Sequence, residues 1–291
     1  MQKLFYTLLA LAFVSMAGCK KKEIISDFET LGVGSYVTLV RTNSNTLNFS
    51  SIASSSVSIT VREKGTPVDK IKIYVSQGGR TLDKSKWKFI KEVSYTGDSV
   101  TLTVTSQEIA TALGLSSVNN LTPGSSYTLY NEVITKDGQI FNIINTPQSG
   151  ISNYNMALTW GAAVVCPFTG NAAGDYRVVT DTWQDWSPGD IVQVTDGPGA
   201  NQINLSKVWP NPAFGTTVNP FVVTVNPATG AATIASGVKI GDYSAFGFTL
   251  DTGPGSSGFV FSCTGRIQLR VRLSAPPFGD QGFFSLILQK I

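Results

Sequence analysis

The sequence predicts an all-β protein built from two consecutive β domains, and three observations support this fold class. Short runs of β-branched and aromatic residues recur from Tyr36 to the C-terminus, separated by Ser, Asn, Gly and Pro. The length of 291 residues suits roughly two domains. Charged residues make up only 14% of the chain, below the ~25% typical of soluble domains. The absence of histidine excludes a Ser–His catalytic pair, His-ligated zinc and an imidazole base.

The N-terminal residues predict an export signal. Lys3 precedes an apolar run from Leu4 to Val14, which has the length of a signal-peptide core and is shorter than the ~20 residues of a membrane-spanning helix. The small residues that follow and end at Cys19 resemble the lipobox of bacterial lipoproteins. This resemblance implies a cleaved signal peptide over residues 1–18, a lipid on Cys19 and a tether over residues 19–34. The alternative is an ordinary secretory signal in which the cysteine is incidental.

Residues 35–146 have the pattern of a β-sandwich. A capping box at Thr105–Glu108 predicts one short helix that ends at Gly114. The segment Leu121–Leu129, with its Pro-Gly turn and Tyr127, resembles the turn-and-tyrosine segment of fibronectin type III and immunoglobulin-like sandwiches. A turn at Lys136–Gln139 predicts a hairpin between residues 132–134 and 140–143. Alternating or β-rich runs predict further strands at residues 36–40, 57–61, 71–75, 87–91 and 100–104.

Residues 147–291 predict a second all-β domain, either a barrel or a sandwich. The polar segment 145–150, which contains Pro and Gly, is the predicted linker. The clearest alternation lies in Arg266–Leu273, where the aliphatic side chains are predicted to face the core and the arginines solvent. Further strands are predicted at residues 175–180, 190–194, 221–225, 231–234 and 283–288.

Cys166 and Cys263 are the two cysteines that remain once Cys19 is assigned to the lipid. An even pair in an exported chain predicts one disulfide bond between them. The alternative is a pair of buried free thiols that pack as small apolar groups. A zinc site is not expected from two thiols in a chain without histidine.

Four aromatic residues are candidate ligand-binding residues, because they lie in segments rich in Pro, Gly, Asp and Asn. Aromatic rings on loops commonly stack on sugar rings or peptide side chains. The alternative is that they close the mouth of a barrel or pack between strands. The four residues are Trp183, Trp186, Trp209 and Phe214.

Asp181, Asp185, Asp190 and Asp196 form the densest acidic group of the chain, and the first three are the candidates for hydrolysis. A pair of carboxylates is the acid–base chemistry that such a group supports, as in glycoside hydrolysis. Aspartates also occupy ordinary turns, and Asp190 follows a Pro-Gly pair as turn residues do. We therefore expect turn residues here, with no catalytic residue, metal ligand or cofactor. The nearly balanced net charge of +3 gives no reason to expect a nucleic-acid partner.

Taken from end to end, the chain resembles a family of Bacteroidota outer-membrane lipoproteins associated with TonB-dependent uptake systems of the SusC/SusD type. The segments that carry the resemblance are the lipobox, Ser106–Leu115, Leu121–Gly124, Gly174–Thr180, Trp183–Asp190, Ser262–Gly265 and Phe283–Lys290.

This resemblance implies a lipid-anchored, non-catalytic accessory or binding protein of a nutrient uptake complex, located at the outer membrane. The expected partners are the membrane, a TonB-dependent transporter and a SusD-like lipoprotein, with a glycan or peptide as ligand. The cell surface is the expected side, although the lysines after Cys19 leave the periplasmic face open. The alternatives are a purely structural interaction lipoprotein and a carboxylate-dependent glycoside hydrolase.

Overall fold

The computed structural model describes residues 35–206, 208–214, 217–243, 246–276 and 278–291. Strands account for 52% of the structure, which confirms the predicted all-β class. The predicted signal peptide, the lipidated Cys19 and the tether lie outside the described residues and stay predictions. Within the described part of the chain, no helix is both long enough and apolar enough to cross a membrane.

The N-terminal half folds as a sandwich of two sheets with the strand order of immunoglobulin and fibronectin III-like domains. One sheet has the order β1-β3-β6, formed by β1 (Tyr36–Ser44), β3 (Ser56–Lys64) and β6 (Val100–Thr105). The other has the order β2-β9-β7-β4-β5, with β8 beside β7. Its strands are β2 (Thr46–Asn48), β4 (Val68–Gln77), β5 (Lys88–Ser94), β7 (Ser126–Thr135), β8 (Ile140–Phe141) and β9 (Thr159–Val165). The inner faces of both sheets supply one apolar core.

The predicted short helix is confirmed as α1 (Ser106–Ala112). Its capping box is complete, because the Thr105 hydroxyl accepts the Glu108 backbone N–H while the Glu108 carboxylate accepts the Thr105 N–H. Ile109 and Ala110 face the sandwich core, which anchors a helix too short to be stable alone. Gly114 follows the helix in the left-handed conformation, with a φ of +70°.

The end of the sandwich differs from the prediction. The Asp137–Gly138 turn forms, but the strand after it is only the two-residue β8, because Asn142 and Asn145 bind backbone N–H groups and start a turn. A second helix, α2 (Gln148–Asn153), begins within the predicted linker and extends three residues beyond it. Strand β9 then closes the sandwich by pairing antiparallel with β7 and parallel with β2.

The change from the first core to the second falls later than the predicted division at residue 147. Ala157, Leu158, Ala162 and Val164 pack in the sandwich core, whereas the second core begins at Phe168. The physical reason is that β9 lies between β7 and β2 in the larger sheet of the sandwich. Its backbone hydrogen bonds hold residues up to Val165 in the sandwich.

The C-terminal half is an eight-stranded closed antiparallel barrel, so of the two predicted forms the structure has the barrel. The cyclic order is β10-β11-β12-β13-β14-β17-β18-β19, and β19 returns to β10. The hairpin β15–β16 adjoins the barrel through β18. The strands are β10 (Gly174–Asp181), β11 (Ile191–Asp196), β12 (Gln202–Ser206), β13 (Phe221–Val225), β14 (Ala231–Ile234), β15 (Lys239–Tyr243), β16 (Phe248–Thr252), β17 (Ser257–Phe261), β18 (Arg266–Ala275) and β19 (Gly279–Lys290).

Strand β18 confirms the predicted alternation, since Ile267, Leu269, Val271 and Leu273 are buried in the barrel core. One edge of β18 holds two strands end to end, because residues 266–270 pair with β17 and residues 273–274 pair with β16. The Gly-rich segment 253–256 fills the interruption between them and binds Arg272 through Gly253 N–H and Ser256 Oγ. This interruption allows the β15–β16 hairpin to adjoin the barrel without belonging to its cycle.

The predicted disulfide between Cys166 and Cys263 is confirmed, with an S–S distance of 2.10 Å. Cys166 follows the last strand of the sandwich, and Cys263 lies in the turn between β17 and β18. The bond therefore ties the end of the sandwich to the barrel.

Candidate functional site

Asp181, the last residue of β10, organises the loop that carries the acidic and aromatic residues noted in the sequence. Its buried carboxylate accepts the backbone N–H groups of Trp183, Asp185 and Trp186 at 2.9–3.1 Å. It also accepts the indole N–H of Trp209 at 3.1 Å. Four donors satisfy a buried charge that would otherwise be costly, and they fix the course of the loop. Asp181 is therefore a structural residue.

Trp209 lies in the core of the barrel and is 0% exposed. Its ring stacks on Phe221 at a centroid distance of 6.3 Å. A cis peptide bond joins it to Pro210. A ligand has no access to this ring, so Trp209 supports the loop from below instead of contacting a ligand.

Trp186 is half-buried and packs against the barrel core. Its indole N–H donates to the backbone carbonyl of Val208. Trp186 thus connects the loop after β10 with the segment after β12. It does not line the cavity described below.

A chain of hydrogen bonds joins Trp183, Tyr243 and Asp185. The indole N–H of Trp183 donates to the Tyr243 hydroxyl at 2.6 Å, and this hydroxyl donates to Asp185 Oδ2 at 2.5 Å. Asn211 holds Asp185 from the other side, since its backbone N–H donates to Oδ2 at 2.8 Å and its side-chain amide donates to the Asp185 carbonyl at 2.9 Å. The Asp185 carboxylate is thereby fixed by two neutral donors.

Burial raises the pKa of Asp185 from 3.8 to about 6. The bonds from Tyr243 and Asn211 oppose this increase, and the nearby Asp181 charge adds to it. Burial, followed by the Asp185 carboxylate, raises the pKa of Tyr243 above its ordinary value of 10.0. At neutral pH the site therefore contains a carboxylate that is mostly ionised and a neutral phenol that donates to it.

These residues border a cavity of about 250 Å³, which we call the aromatic cleft. Its lining consists of Trp183, Asp185, Phe214, Tyr243, Phe246 and Phe248. Phe246 is 60% exposed and Phe214 is 38% exposed, so two of the rings reach solvent at the rim. Tyr243 is buried and stacks on Phe248 at 4.7 Å, which gives the cleft a rigid floor.

The loop after β10 is held in a conformation that local sequence preferences do not favour. Gln184, between Trp183 and Asp185, has a φ of +69°, a left-handed conformation that is uncommon for residues other than glycine. Its neighbours hold it there, because Asp181 binds the backbone of the residues on both sides. This turn orients the Trp183 ring and the Asp185 carboxylate toward the same cavity.

Of the four predicted ligand-binding residues, Trp183 and Phe214 line the cleft, whereas Trp186 and Trp209 support it from within. Sequence analysis missed Tyr243, Phe246 and Phe248. Their signal was three aromatic residues within six positions, at the turn of a hairpin whose strands are short.

The acidic residues of the loop have different surroundings. Asp181 is saturated by four N–H donors, and Asp190 accepts the Ser187 N–H at 2.8 Å in an ordinary turn. Among the described residues that line the cleft, Asp185 is the only carboxylate. The described part of the chain contains no group of three or more His, Cys, Asp and Glu residues suited to a metal ion.

A larger depression of about 590 Å³ crosses the outside of the barrel at Ala231, Gly258 and Arg270. Small side chains form most of its lining, and it exposes one ring, that of Phe259. It therefore presents fewer groups for recognition than the aromatic cleft does.

No protein-family model matches the chain, and no curated protein matches it at a significant level.

Proposed function

We propose that the protein is a lipid-anchored binding protein of the bacterial outer membrane that holds a small ligand in the aromatic cleft. In this proposal it is a non-catalytic accessory of a TonB-dependent uptake system of the SusC/SusD type. A transporter and a SusD-like lipoprotein are its partners, and a nutrient-derived molecule of the glycan or peptide class is its ligand.

The observation that carries the binding role is the aromatic cleft itself. Phe246 and Phe214 expose their rings side by side in one concave site, and such a contiguous apolar patch commonly marks a ligand-binding site. The four N–H donors to Asp181 fix the loop after β10, and the Trp183–Tyr243–Asp185 hydrogen bonds fix the floor of the cleft. Because both are ordered before a ligand arrives, the entropic cost of binding is lower.

The membrane anchor and the partners rest on the sequence alone. The signal-like segment and the small residues before Cys19 support lipidation, and the resemblance to SusC/SusD-associated lipoproteins supports the partners. Two or more acyl chains on Cys19 would hold the protein at a bilayer.

The surroundings of the aspartates favour binding over hydrolysis. Two-carboxylate hydrolysis needs a second carboxyl group about 5–9.5 Å from the first, open to the same substrate. Asp181 is the neighbour of Asp185, but all of its described hydrogen bonds serve the loop and the Trp209 indole. Asp185 therefore has no free partner among the described residues of the cleft.

A purely structural interaction lipoprotein is the second candidate. The indole N–H groups of Trp183, Trp186 and Trp209 all donate to partners within the C-terminal half, which is the arrangement expected when tryptophans serve packing. In this candidate the cleft is a by-product of packing the β15–β16 hairpin beside the barrel, and only the contact with the transporter matters.

Affinity purification of the tagged full-length protein from gently solubilised outer membranes tests the uptake role. We expect stoichiometric recovery of a TonB-dependent transporter and a SusD-like lipoprotein. Recovery of the protein alone, from membranes in which such transporters remain intact, would contradict the proposal. The Cys19→Ala variant is the control for anchoring and is expected in the soluble fraction.

The Phe246→Ala variant separates the two candidate functions. A binding protein keeps its transporter but loses uptake of the substrate, whereas a structural protein keeps both. Phe89→Ala in β5 is the matched control, because Phe89 is similarly exposed at 52% and lies in the sandwich. Equal uptake by both variants would favour the structural candidate.

A further inference from the structure

The chemistry of the cleft lining is unusual for a sugar site. Five of the six lining residues are aromatic, and the sixth is Asp185. Sugar hydroxyls need several polar partners, but the Tyr243 hydroxyl is already engaged by Trp183 and Asp185. The lining thus offers many ring faces and one negative charge.

We propose that the aromatic cleft binds an organic ammonium group, either a methylated ammonium such as choline or the primary ammonium of a lysine side chain. This inference rests on the proposed binding function but defines its ligand by an ammonium group instead of as a glycan, and a lysine-bearing peptide is one source of that group. The rings would hold the cation through their negative faces, and the Asp185 carboxylate would supply the opposite charge.

The rings contact one another and form a continuous aromatic wall along one side of the cleft, against which a cation can lie. Phe246 stands 6.3 Å from Phe214 and 6.5 Å from Tyr243, measured between ring centroids, with tilted planes. Trp183 meets Tyr243 edge-on at 6.2 Å. The volume of about 250 Å³ lies below the ~300–1,000 Å³ of pockets for drug-sized ligands, which suits a small cation better than an oligosaccharide.

The negative charge of Asp185 is not neutralised within the described structure. Its hydrogen-bond donors, Tyr243 and Asn211, are neutral, and no ion pair among the described residues includes it. The titratable groups that face it are Asp181, which has the same sign, and the neutral Tyr243 phenol. A bound cation would therefore meet an uncompensated carboxylate in a partly dry, ring-lined site, where electrostatic attraction is stronger than in water.

The electrostatics of Asp185 agree with this ligand class. Burial raises the pKa of Asp185 to about 6, which means that the surroundings penalise its charge. A cation in the cleft would offset this penalty. A neutral ligand would not, because further desolvation would increase it.

Titration of the full-length protein in detergent, followed by calorimetry and tryptophan fluorescence, tests the inference. The probes are choline, tetramethylammonium, Nα-acetyl-lysine amide, glucose, and 3,3-dimethylbutanol, the neutral isostere of choline. We expect at least one ammonium probe to bind about tenfold or more tighter than the neutral isostere and glucose. The preference between choline and the lysine derivative tells which source of the ammonium group the cleft selects.

Two variants assign the binding to the cleft. Tyr243 and Asn211 both donate to the same oxygen of Asp185, and Asp185→Asn keeps one oxygen to accept both while removing the charge. It should weaken ammonium binding about tenfold while near-UV circular dichroism stays unchanged. Phe246→Ala at the exposed rim should weaken it as well, whereas Phe89→Ala should not. Unchanged ammonium affinity in both cleft variants would overturn the assignment.

Equal binding of choline and 3,3-dimethylbutanol, or preference for glucose, would overturn the ammonium inference while leaving a binding function in place. Binding of none of the probes would also overturn it. Failure of the uptake role is seen separately, as loss of transporter co-purification, so the two proposals fail by different measurements.

Discussion

At the scale of single residues, Asp181 shows how one buried charge organises a site without taking part in it. Its carboxylate collects N–H donors from three neighbours on the loop and from Trp209, which is distant in sequence. Sequence analysis grouped Asp181 with Asp185 and Asp190 because spacing alone cannot distinguish a buried carboxylate from an exposed one. Burial and donor count are tertiary properties, and they give the three aspartates three different roles.

The Asp181→Ala variant should lose about 3 kcal/mol or more of unfolding free energy, because several buried N–H groups would lose their acceptor at ~1–3 kcal/mol each. Urea unfolding followed by circular dichroism measures this change. Asp190→Ala is the control, since Asp190 caps a solvent-exposed turn and should cost less than ~1 kcal/mol. Equal midpoints for the two variants would contradict the role given to Asp181.

Asp185 should make the unfolding free energy depend on pH. Its folded-state pKa of about 6 lies above the ordinary 3.8, so its contribution is fully present below about pH 4 and is lost as the pH rises through 6. We expect a loss of about 1–2 kcal/mol over this window. This is less than the ~3 kcal/mol equivalent of the full difference, because solvent reaches part of the side chain.

The Asp185→Asn variant isolates this contribution, since it removes the titrating group and leaves Asp181 and Tyr243 in place. The difference in unfolding free energy between wild type and variant, measured from pH 3.5 to 7.5, should change through the stated window. Parallel pH profiles for the two proteins would show that burial does not shift the Asp185 pKa.

At the scale of secondary-structure elements, sequence analysis correctly predicted the elements that are determined by residues close to one another in the chain. The capping box of α1 and the alternation of β18 are local patterns, and the structure has both. The hairpin turn at Gly138 also forms, with Thr135 N–H bound to the Gln139 carbonyl. Each of these features is decided within a few residues, so sequence alone sufficed.

Elements that depend on distant partners were missed. Strand β9 is an apolar run without a turn signal that assigns it to the sandwich, and its place comes from pairing with β7 and β2. The hairpin residues Tyr243, Phe246 and Phe248 belong to the cleft only because β16 pairs with the far end of β18. The three aromatic residues are visible in the sequence, but only the folded barrel assigns them, half of the lining, to the cleft.

At the scale of the whole molecule, the Cys166–Cys263 disulfide connects two cores that the backbone joins through a short segment. It closes a loop with a sequence separation of 97 residues, which includes most of the barrel. The even number of cysteines and the export signal were enough to predict this disulfide. The fold explains why these two cysteines can bond. The end of β9 and the β17–β18 turn come together, with Gly230 packed against the backbone carbonyls of Cys166 and Val260.

Replacing both cysteines with alanine should lower the unfolding free energy by about 4–5 kcal/mol, because the chain-entropy relation assigns this much to a loop of such length. Thermal unfolding with and without reductant measures the effect. Reductant should lower the midpoint of the wild type toward that of the double variant and should leave the double variant unchanged. A wild-type midpoint insensitive to full reduction would contradict this stabilising role.

The way β18 holds β16 and β17 end to end has a consequence for how the protein can diversify. Barrel closure runs through β17, so the hairpin Lys239–Thr252 is an appendage on a finished scaffold. Changes in that hairpin can alter the recognition surface while the cyclic order of the eight strands is retained. Ile240 and Leu250 fix the hairpin to the barrel core, so this freedom belongs to exposed positions such as Phe246, as variation in antibodies belongs to loops on a fixed framework.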